Sequence, residues 1–248
     1  MRPRRSETLD TIRGFALISM ILYHAAWDIV YMFGADWPWF HGFAAHVWQQ
    51  SICWTFILLS GYCWALGRRK LRRGLTVFLC GALITAVTWA FVPGNLVFCG
   101  VLTLLGASSL LLIPLAPALG RVPAQAGAAG SFLLFLLTRD VNAGTLGFEG
   151  VRFAVLPAGL YRNYFTALLG FPPADFFSTD YFSLFPWFFL FLTGWFLFRL
   201  HPEEARETRR VPIVTAMGRR SLLIYMLHQP VIYALLTAGH FLLTGATA

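Results

Sequence analysis

The chain of 248 residues is too apolar for a water-soluble globular protein, because 58% of its residues are hydrophobic and only 12% are charged. Soluble domains carry about 25% charged residues. With a mean hydropathy of +0.65, the composition predicts an all-α, polytopic membrane helix bundle. It excludes a soluble domain, a disordered chain, a coiled coil and a disulfide scaffold. The net charge of +8 does not indicate nucleic-acid binding, because the basic residues stand in short runs between apolar segments.

Seven apolar runs approach the length of about 20 residues that crosses a hydrocarbon core. The predicted spans are residues 11–33, 46–67, 74–92, 96–117, 123–138, 180–200 and 221–244. Residues 150–170 are also apolar but are interrupted by Arg152, Pro157 and Arg162. We interpret them as a half-helix or re-entrant segment, and a full span there would raise the count to eight.

The basic residues predict the orientation of these spans. They cluster before the first span, at residues 68–73 and at residues 199–220, whereas the long segment 139–179 carries three scattered arginines. By the positive-inside rule the N-terminus and residues 68–73 and 201–220 are cytoplasmic, and residues 139–179 are external. The chain is therefore expected to be one multi-pass domain of the cell membrane, residues 1–248.

The first span carries four ionisable residues, with Asp10 and Arg13 near its cytoplasmic end and His24 and Asp28 deeper. In a helix, Arg13 and His24 are three turns apart with an offset of about 20°, and His24 lies about 16 Å further along the axis. All four side chains therefore share one helix face. Because ionisable groups are costly inside a membrane, this face predicts a functional site. The structural alternative is that Arg13 extends to the interface, Asp10 caps the helix and His24 is a hydrogen-bonded core residue.

The last span begins with GRRSLLIYMLHQP, residues 218–230. Arg219 and Arg220 stand beside a helix start at Ser221, which favours a phosphate site, because guanidinium groups and free backbone N–H groups both bind anions. Composition alone favours the other explanation, in which the same two arginines are ordinary membrane anchors. His228 lies about two turns inside the span, followed by Gln229 and Pro230.

Two external segments combine acidic and aromatic residues. Residues 35–42 contain Asp36 and His41, and residues 170–188 contain Asp180 and Trp187. Aromatic residues are expected at a membrane interface, but an aromatic ring beside a carboxylate also suits a sugar. Asp36, Asp180 and Trp187 are therefore the candidate substrate contacts. The histidines show no metal-ligand spacing, so no metal site is expected.

The sequence LDTIRGFALISMILYH, residues 9–24, resembles the opening helix of the acyltransferase-3 family, with its Arg, ten residues and His. Residues 56–67, 170–195 and 218–232 are more similar to the heparan-α-glucosaminide N-acetyltransferase catalytic-domain family. This resemblance implies transfer of an acetyl group from cytoplasmic acetyl-CoA to an amino sugar or a glycan hydroxyl on the far side of the membrane.

The resemblance also implies roles for individual residues. His24 is the expected general base, with Asp28 orienting its ring. Acetyl-CoA is expected to contact a set near the cytoplasmic side and the last span: Arg13, Arg219, Arg220, Ser221 and His228. The animal lysosomal branch has Asn in place of His24 and takes its key His from the outer segment, which makes His41 the alternative base.

The expected partners are the lipid bilayer, acetyl-CoA and a glycan or amino-sugar acceptor, without nucleic acid, and a homodimer is left open. Two other functions stay open at this point. A proton-coupled transporter would use the polar face of the first span as a relay. A structural membrane protein would use it only to bind neighbouring helices.

Overall fold

The computed structural model describes residues 6–203 and 208–245, and these residues form nine α-helices and one β-hairpin. The helices are α1 Glu7–Tyr31, α2 Phe43–Leu66, α3 Lys70–Phe91, α4 Val101–Leu119, α5 Ala124–Leu137, α6 Tyr164–Leu169, α7 Leu184–Leu200, α8 Pro212–Arg219 and α9 Ser221–Gly245. The strands are β1 Thr145–Phe148 and β2 Val151–Val155. Each of the seven predicted apolar runs contains a helix, and the all-α class is confirmed.

Four helices of the described residues are long and apolar enough to cross a membrane: α1, α3, α4 and the part of α9 from Ser221 to Leu242. Helices α5 and α7 are apolar but have only 14 and 17 residues. Helix α2 has 24 residues, but His46, Gln49 and Gln50 lower the hydropathy of its first half. The count of seven or eight spans and their orientation remain predictions.

Residues 150–170, which we interpreted as a half-helix or re-entrant segment, are mostly not α-helical. Their helical parts are a 3-10 turn at Ala158–Leu160 and the six residues of α6, and residues 145–155 form an antiparallel hairpin in which Phe148 pairs with Val151. The two loop residues, Glu149 and Gly150, both have positive φ angles, of 47° and 90°. Two such residues are what a tight hairpin turn of type I′ requires.

Packing divides the chain into two compact units. The first comprises residues 1–56 and 203–248, and the second comprises residues 57–202. In the first unit, Leu17 and Met20 of α1 pack with Ile52 of α2 and with residues of α9. The expectation of one functional domain over residues 1–248 stays a prediction.

Glycines allow three helix pairs, each within one unit, to approach backbone to backbone. The pairs are Gly14 of α1 with Gly218 of α8, Gly61 of α2 with Gly194 of α7, and Gly81 of α3 with Gly106 of α4. In the first pair, a Cβ on Gly14 would overlap the carbonyl oxygen of Val214, and a Cβ on Gly218 would overlap that of Asp10. Small residues at helix contacts are typical of membrane bundles, because backbone packing there replaces the hydrophobic effect between helices.

Candidate functional site

Helix α1 carries the predicted polar face over its whole length. It begins after Ser6, whose side chain accepts a hydrogen bond from the backbone N–H of Leu9, and Glu7 and Asp10 lie in its first turn, where acidic groups stabilise a helix start. Both acids of the predicted face are withdrawn from solvent, with Asp10 at 2% exposure and Asp28 at 0%. The face is therefore directed into protein.

Two histidines meet deep in the first unit. The rings of His24 on α1 and His228 on α9 have centroids 4.8 Å apart. The Nδ1 atom of His228 is 2.5 Å from the carbonyl oxygen of Tyr225. Because a carbonyl only accepts hydrogen bonds, Nδ1 carries the proton and Nε2 of the neutral ring is an acceptor. Nε2 is buried and has no hydrogen-bond partner within the described residues.

Asp28 contacts α9 rather than the neighbouring histidine. Its Oδ1 atom accepts a hydrogen bond of 2.7 Å from Nε2 of Gln229. The expected contact between Asp28 and the ring of His24 is absent from the part of the chain that the structure describes. The spacing on α1 correctly places both residues on one face, but the side chain of Asp28 turns toward the partner helix.

A second group of charges joins the start of α1 to α8. Arg13 Nη1 lies 2.9 Å from Asp10 Oδ1, and Arg219 Nη2 lies 2.7 Å from Glu7 Oε1. Arg219 Nε is also 3.7 Å from Asp10 Oδ2, and Arg210 is 3.8 Å from Glu7. The two arginines predicted to bind phosphate, Arg13 and Arg219, therefore have carboxylate partners. Arg220 is exposed where α8 ends, and Ser221 begins α9.

The outer candidates of the first unit lie beyond the end of α1. Asp36 is exposed. His41 ends a short 3-10 helix and its Nδ1 is 3.2 Å from the hydroxyl oxygen of Tyr31. Tyr31 is seven residues after His24, which is about 10 Å along a helix. The structure does not bring the two candidate bases together.

In the second unit, the two candidate sugar contacts have structural partners. Asp180 Oδ2 accepts a hydrogen bond of 3.3 Å from the backbone N–H of Val101, the first residue of α4. Trp187 is buried. Its ring contacts those of Phe135 and Phe182, and the guanidinium of Arg139 is 4.7 Å from its centroid. These contacts stabilise the fold, and contact with a sugar stays a prediction.

Burial raises the pKa of Asp180 to about 6, while the hydrogen bond from Val101 acts in the opposite direction. An unfolded Asp has a pKa of about 3.9, so the folded state binds the proton more tightly and its stability falls as the pH rises through that interval. We expect Asp180→Asn, which keeps an acceptor for Val101, to remove this dependence. Thermal unfolding midpoints in detergent across the interval test it, with the exposed Asp175→Asn as the control. An unchanged pH dependence in Asp180→Asn would contradict it.

Sequence reasoning did not place two residues of these clusters in the candidate site. It noted Gln229 after His228 in an otherwise apolar run but gave it no role, and it did not single out Glu7. Glu7 is 212 residues from its partner Arg219, and a single sequence gives no indication of such a pairing. No three His, Cys, Asp or Glu side chains among the described residues form a metal-type cluster, and the absence of a metal remains a prediction.

Helices long and apolar enough to cross a membrane, and the contact of His24 on α1 with the buried His228 on α9, indicate a membrane protein with an internal polar site. The chain belongs to the family described as heparan-alpha-glucosaminide N-acetyltransferase, catalytic, whose model matches residues 5–230. This match confirms the resemblance inferred from the sequence and indicates a membrane acetyltransferase-like function. No curated protein and no solved structure matches the chain.

Proposed function

We propose that the protein transfers an acetyl group from acetyl-CoA on the cytoplasmic side to an amino sugar or glycan hydroxyl on the other side of the membrane. The observation that carries the proposal is the contact of His24 and His228 on two candidate membrane helices, in a chain of this acetyltransferase family. A neutral imidazole at that depth provides a base where two substrates entering from opposite sides would meet.

His24 is the proposed general base. It removes the proton from the amine or hydroxyl of the acceptor as that group attacks the thioester carbonyl. The bond from the carbonyl carbon to sulfur then breaks, and the imidazolium returns its proton to the departing thiolate of CoA. His228, whose unpartnered Nε2 lies on the adjacent ring, orients the attacking group by accepting a hydrogen bond. An acetyl-histidine intermediate would satisfy the same balance of protons.

The start of α1 and the junction of α8 with α9 are the proposed entry for the donor. Arg13, Arg219 and Arg220 would bind the phosphates of acetyl-CoA beside the helix start at Ser221. Arg219 remains 43% exposed at its side chain although it contacts Glu7, so a phosphate has access to it. The acceptor would enter from the other end of α1, where Asp36 is exposed.

We expect the double variant Arg219→Gln, Arg220→Gln to bind acetyl-CoA more weakly by about 10- to 150-fold for each arginine that contacts a phosphate, because each charge-assisted hydrogen bond contributes about 1.5–3 kcal/mol. Acceptor affinity should change little. Isothermal titration with the purified protein measures the first quantity, and the acceptor KM of the transfer reaction measures the second.

The matched control is Arg68→Gln, Arg69→Gln, which removes two exposed arginines from another basic run. Because this variant lowers the net charge equally, it separates a specific phosphate contact from general attraction. Equal affinities in the two double variants would leave Arg219 and Arg220 with a structural role only.

The transfer itself is tested with radiolabelled acetyl-CoA added to membranes that contain the protein. We expect label in an envelope glycan or in an added amino sugar, and label that appears about 10²–10⁴-fold more slowly with His24→Asn. The absence of labelled acceptor together with unchanged acetyl-CoA would overturn the proposal.

Proton-coupled transport is a second candidate, favoured by one observation. Asp28, His24 and His228 place ionisable groups on two candidate membrane helices, which is the composition of a proton relay. Such a protein would move a substrate into proteoliposomes in response to a pH gradient without consuming acetyl-CoA. Flux that requires no acetyl-CoA would favour this function over acetyl transfer.

A further inference from the structure

The pair formed by Asp28 and Gln229 has one hydrogen bond and two unused oxygens. Gln229 Nε2 donates to Asp28 Oδ1 at 2.7 Å. Asp28 Oδ2 and Gln229 Oε1 are both buried and have no partner among the residues that the structure describes. An ionised carboxylate and an amide carbonyl are both pure acceptors, so they cannot bond to each other. Leaving two such atoms buried and unpaired is unfavourable.

A single proton on Asp28 would give both unpartnered oxygens a hydrogen bond. A protonated carboxyl group has one O–H donor and one remaining acceptor oxygen. With a proton on Oδ2, the group still accepts from the Gln229 amide through Oδ1, and Gln229 Oε1, the other unpartnered oxygen of the pair, is the acceptor that we assign to Oδ2. From these two orphaned acceptors we infer that Asp28 is a proton-binding site: a neutral carboxylic acid that shares its proton with Gln229 and joins α1 to α9.

The surroundings of Asp28 support this state. Among the described residues, Asp28 has a hydrogen bond from the neutral amide of Gln229 and no ion pair with a cation. His24 lies one turn earlier on α1, and His228 directly precedes Gln229. Asp10, the other buried acid of the same helix, has Arg13 and Arg219 within 4 Å. Only Asp10 therefore has the cationic partners that hold a buried carboxylate in its ionised form.

A neutral Asp28 changes how the histidine pair works. It puts no negative charge beside His24 and His228, so neither ring is held as imidazolium and both are available as bases. Asp28 is then a positioning residue, which fixes His228 through the adjacent Gln229. This consequence rests on the proposed acetyl transfer, whereas the proton on Asp28 does not.

Infrared difference spectroscopy tests the proton directly, by subtracting the spectrum of each purified variant from that of the parent protein. We expect a carbonyl band of a protonated carboxyl group at a pH well above the pKa of Asp180, which is about 6. The band should be lost in Asp28→Asn and retained in Asp10→Asn. Its absence from the parent protein, or its retention in Asp28→Asn, would overturn the inference.

Thermal stability gives a second, independent readout. Asp28→Asn should unfold at the parent temperature, because the Asn amide donates to Gln229 Oε1 just as the carboxylic acid does. Asp28→Leu should unfold at a lower temperature, because it leaves the Gln229 amide unpaired, and Asp28→Leu, Gln229→Leu should recover part of the loss. Equal losses in Asp28→Asn and Asp28→Leu would show that the carboxylate itself is needed. If the parent protein transfers no acetyl group, the proposed function fails while both of these readouts still test the proton.

Discussion

His24→Asn is expected to lower the rate of acetyl transfer by about 10²–10⁴-fold, the contribution of a positioned general base. Asn is similar in size to His but accepts no proton, so the protein should still fold, accumulate in membranes and bind acetyl-CoA. Initial rates with radiolabelled acetyl-CoA, together with acetyl-CoA affinity from titration, separate the chemical step from binding.

Two other histidines complete this experiment. His240→Asn is the matched control, because His240 lies on α9 beside Phe33 rather than beside His24. His41→Asn tests the outer histidine next to Tyr31. If His24→Asn transfers acetyl groups at the normal rate and His41→Asn does not, the general base is His41 in the outer segment. Normal rates in both variants would favour the transporter or a structural role.

Gly218→Ala is expected to destabilise the first unit by about 1–3 kcal/mol or more, the cost of overpacking a close contact. The added Cβ would overlap the carbonyl oxygen of Asp10, and because this atom belongs to a helix backbone it cannot move aside alone. Helices α1 and α8 would separate, which would also weaken the contact of Arg219 with Glu7. A lower thermal midpoint in detergent measures the effect.

Gly239→Ala is the control for helix propensity, because Gly239 lies in α9 and no described residue comes within 4 Å of its Cβ position. There the Ala side chain should stabilise the helix by about 0.5–1 kcal/mol. If Gly218→Ala and Gly239→Ala unfold at the same temperature, the close approach of α1 and α8 is not important for stability.

The apolar runs predicted the long helices well, because membrane helices are apolar over their whole length and need no partner to be recognised. The polar face of α1 followed from the helical period alone, and Asp10 and Asp28 are indeed buried. The helical period does not identify the hydrogen-bonding partner of each polar side chain. Whether Asp28 contacts His24 or Gln229 depends on how α9 packs against α1, and that packing is not encoded in either segment separately.

The hairpin at residues 145–155 was missed for a different reason. The search for membrane spans gives weight to apolar content, and the sequence TLGFEGVRFAV is apolar enough to continue such a run. Its signal is local: a Glu–Gly pair suited to positive φ angles, flanked by β-branched and aromatic residues. The turn residues, and not the hydropathy, therefore indicate this hairpin.

The pairing of Asp28 with Gln229 across 201 residues has a consequence for the order of synthesis. The ribosome makes α1 before α9, so α1 is complete before the helix that satisfies its polar face exists. During that interval its acids and histidine need other partners, such as water, an insertase or a helix made earlier. A nascent chain stalled before residue 221 should therefore hold α1 in a different environment from a chain that includes α9, and the candidate site cannot assemble until α9 has been made.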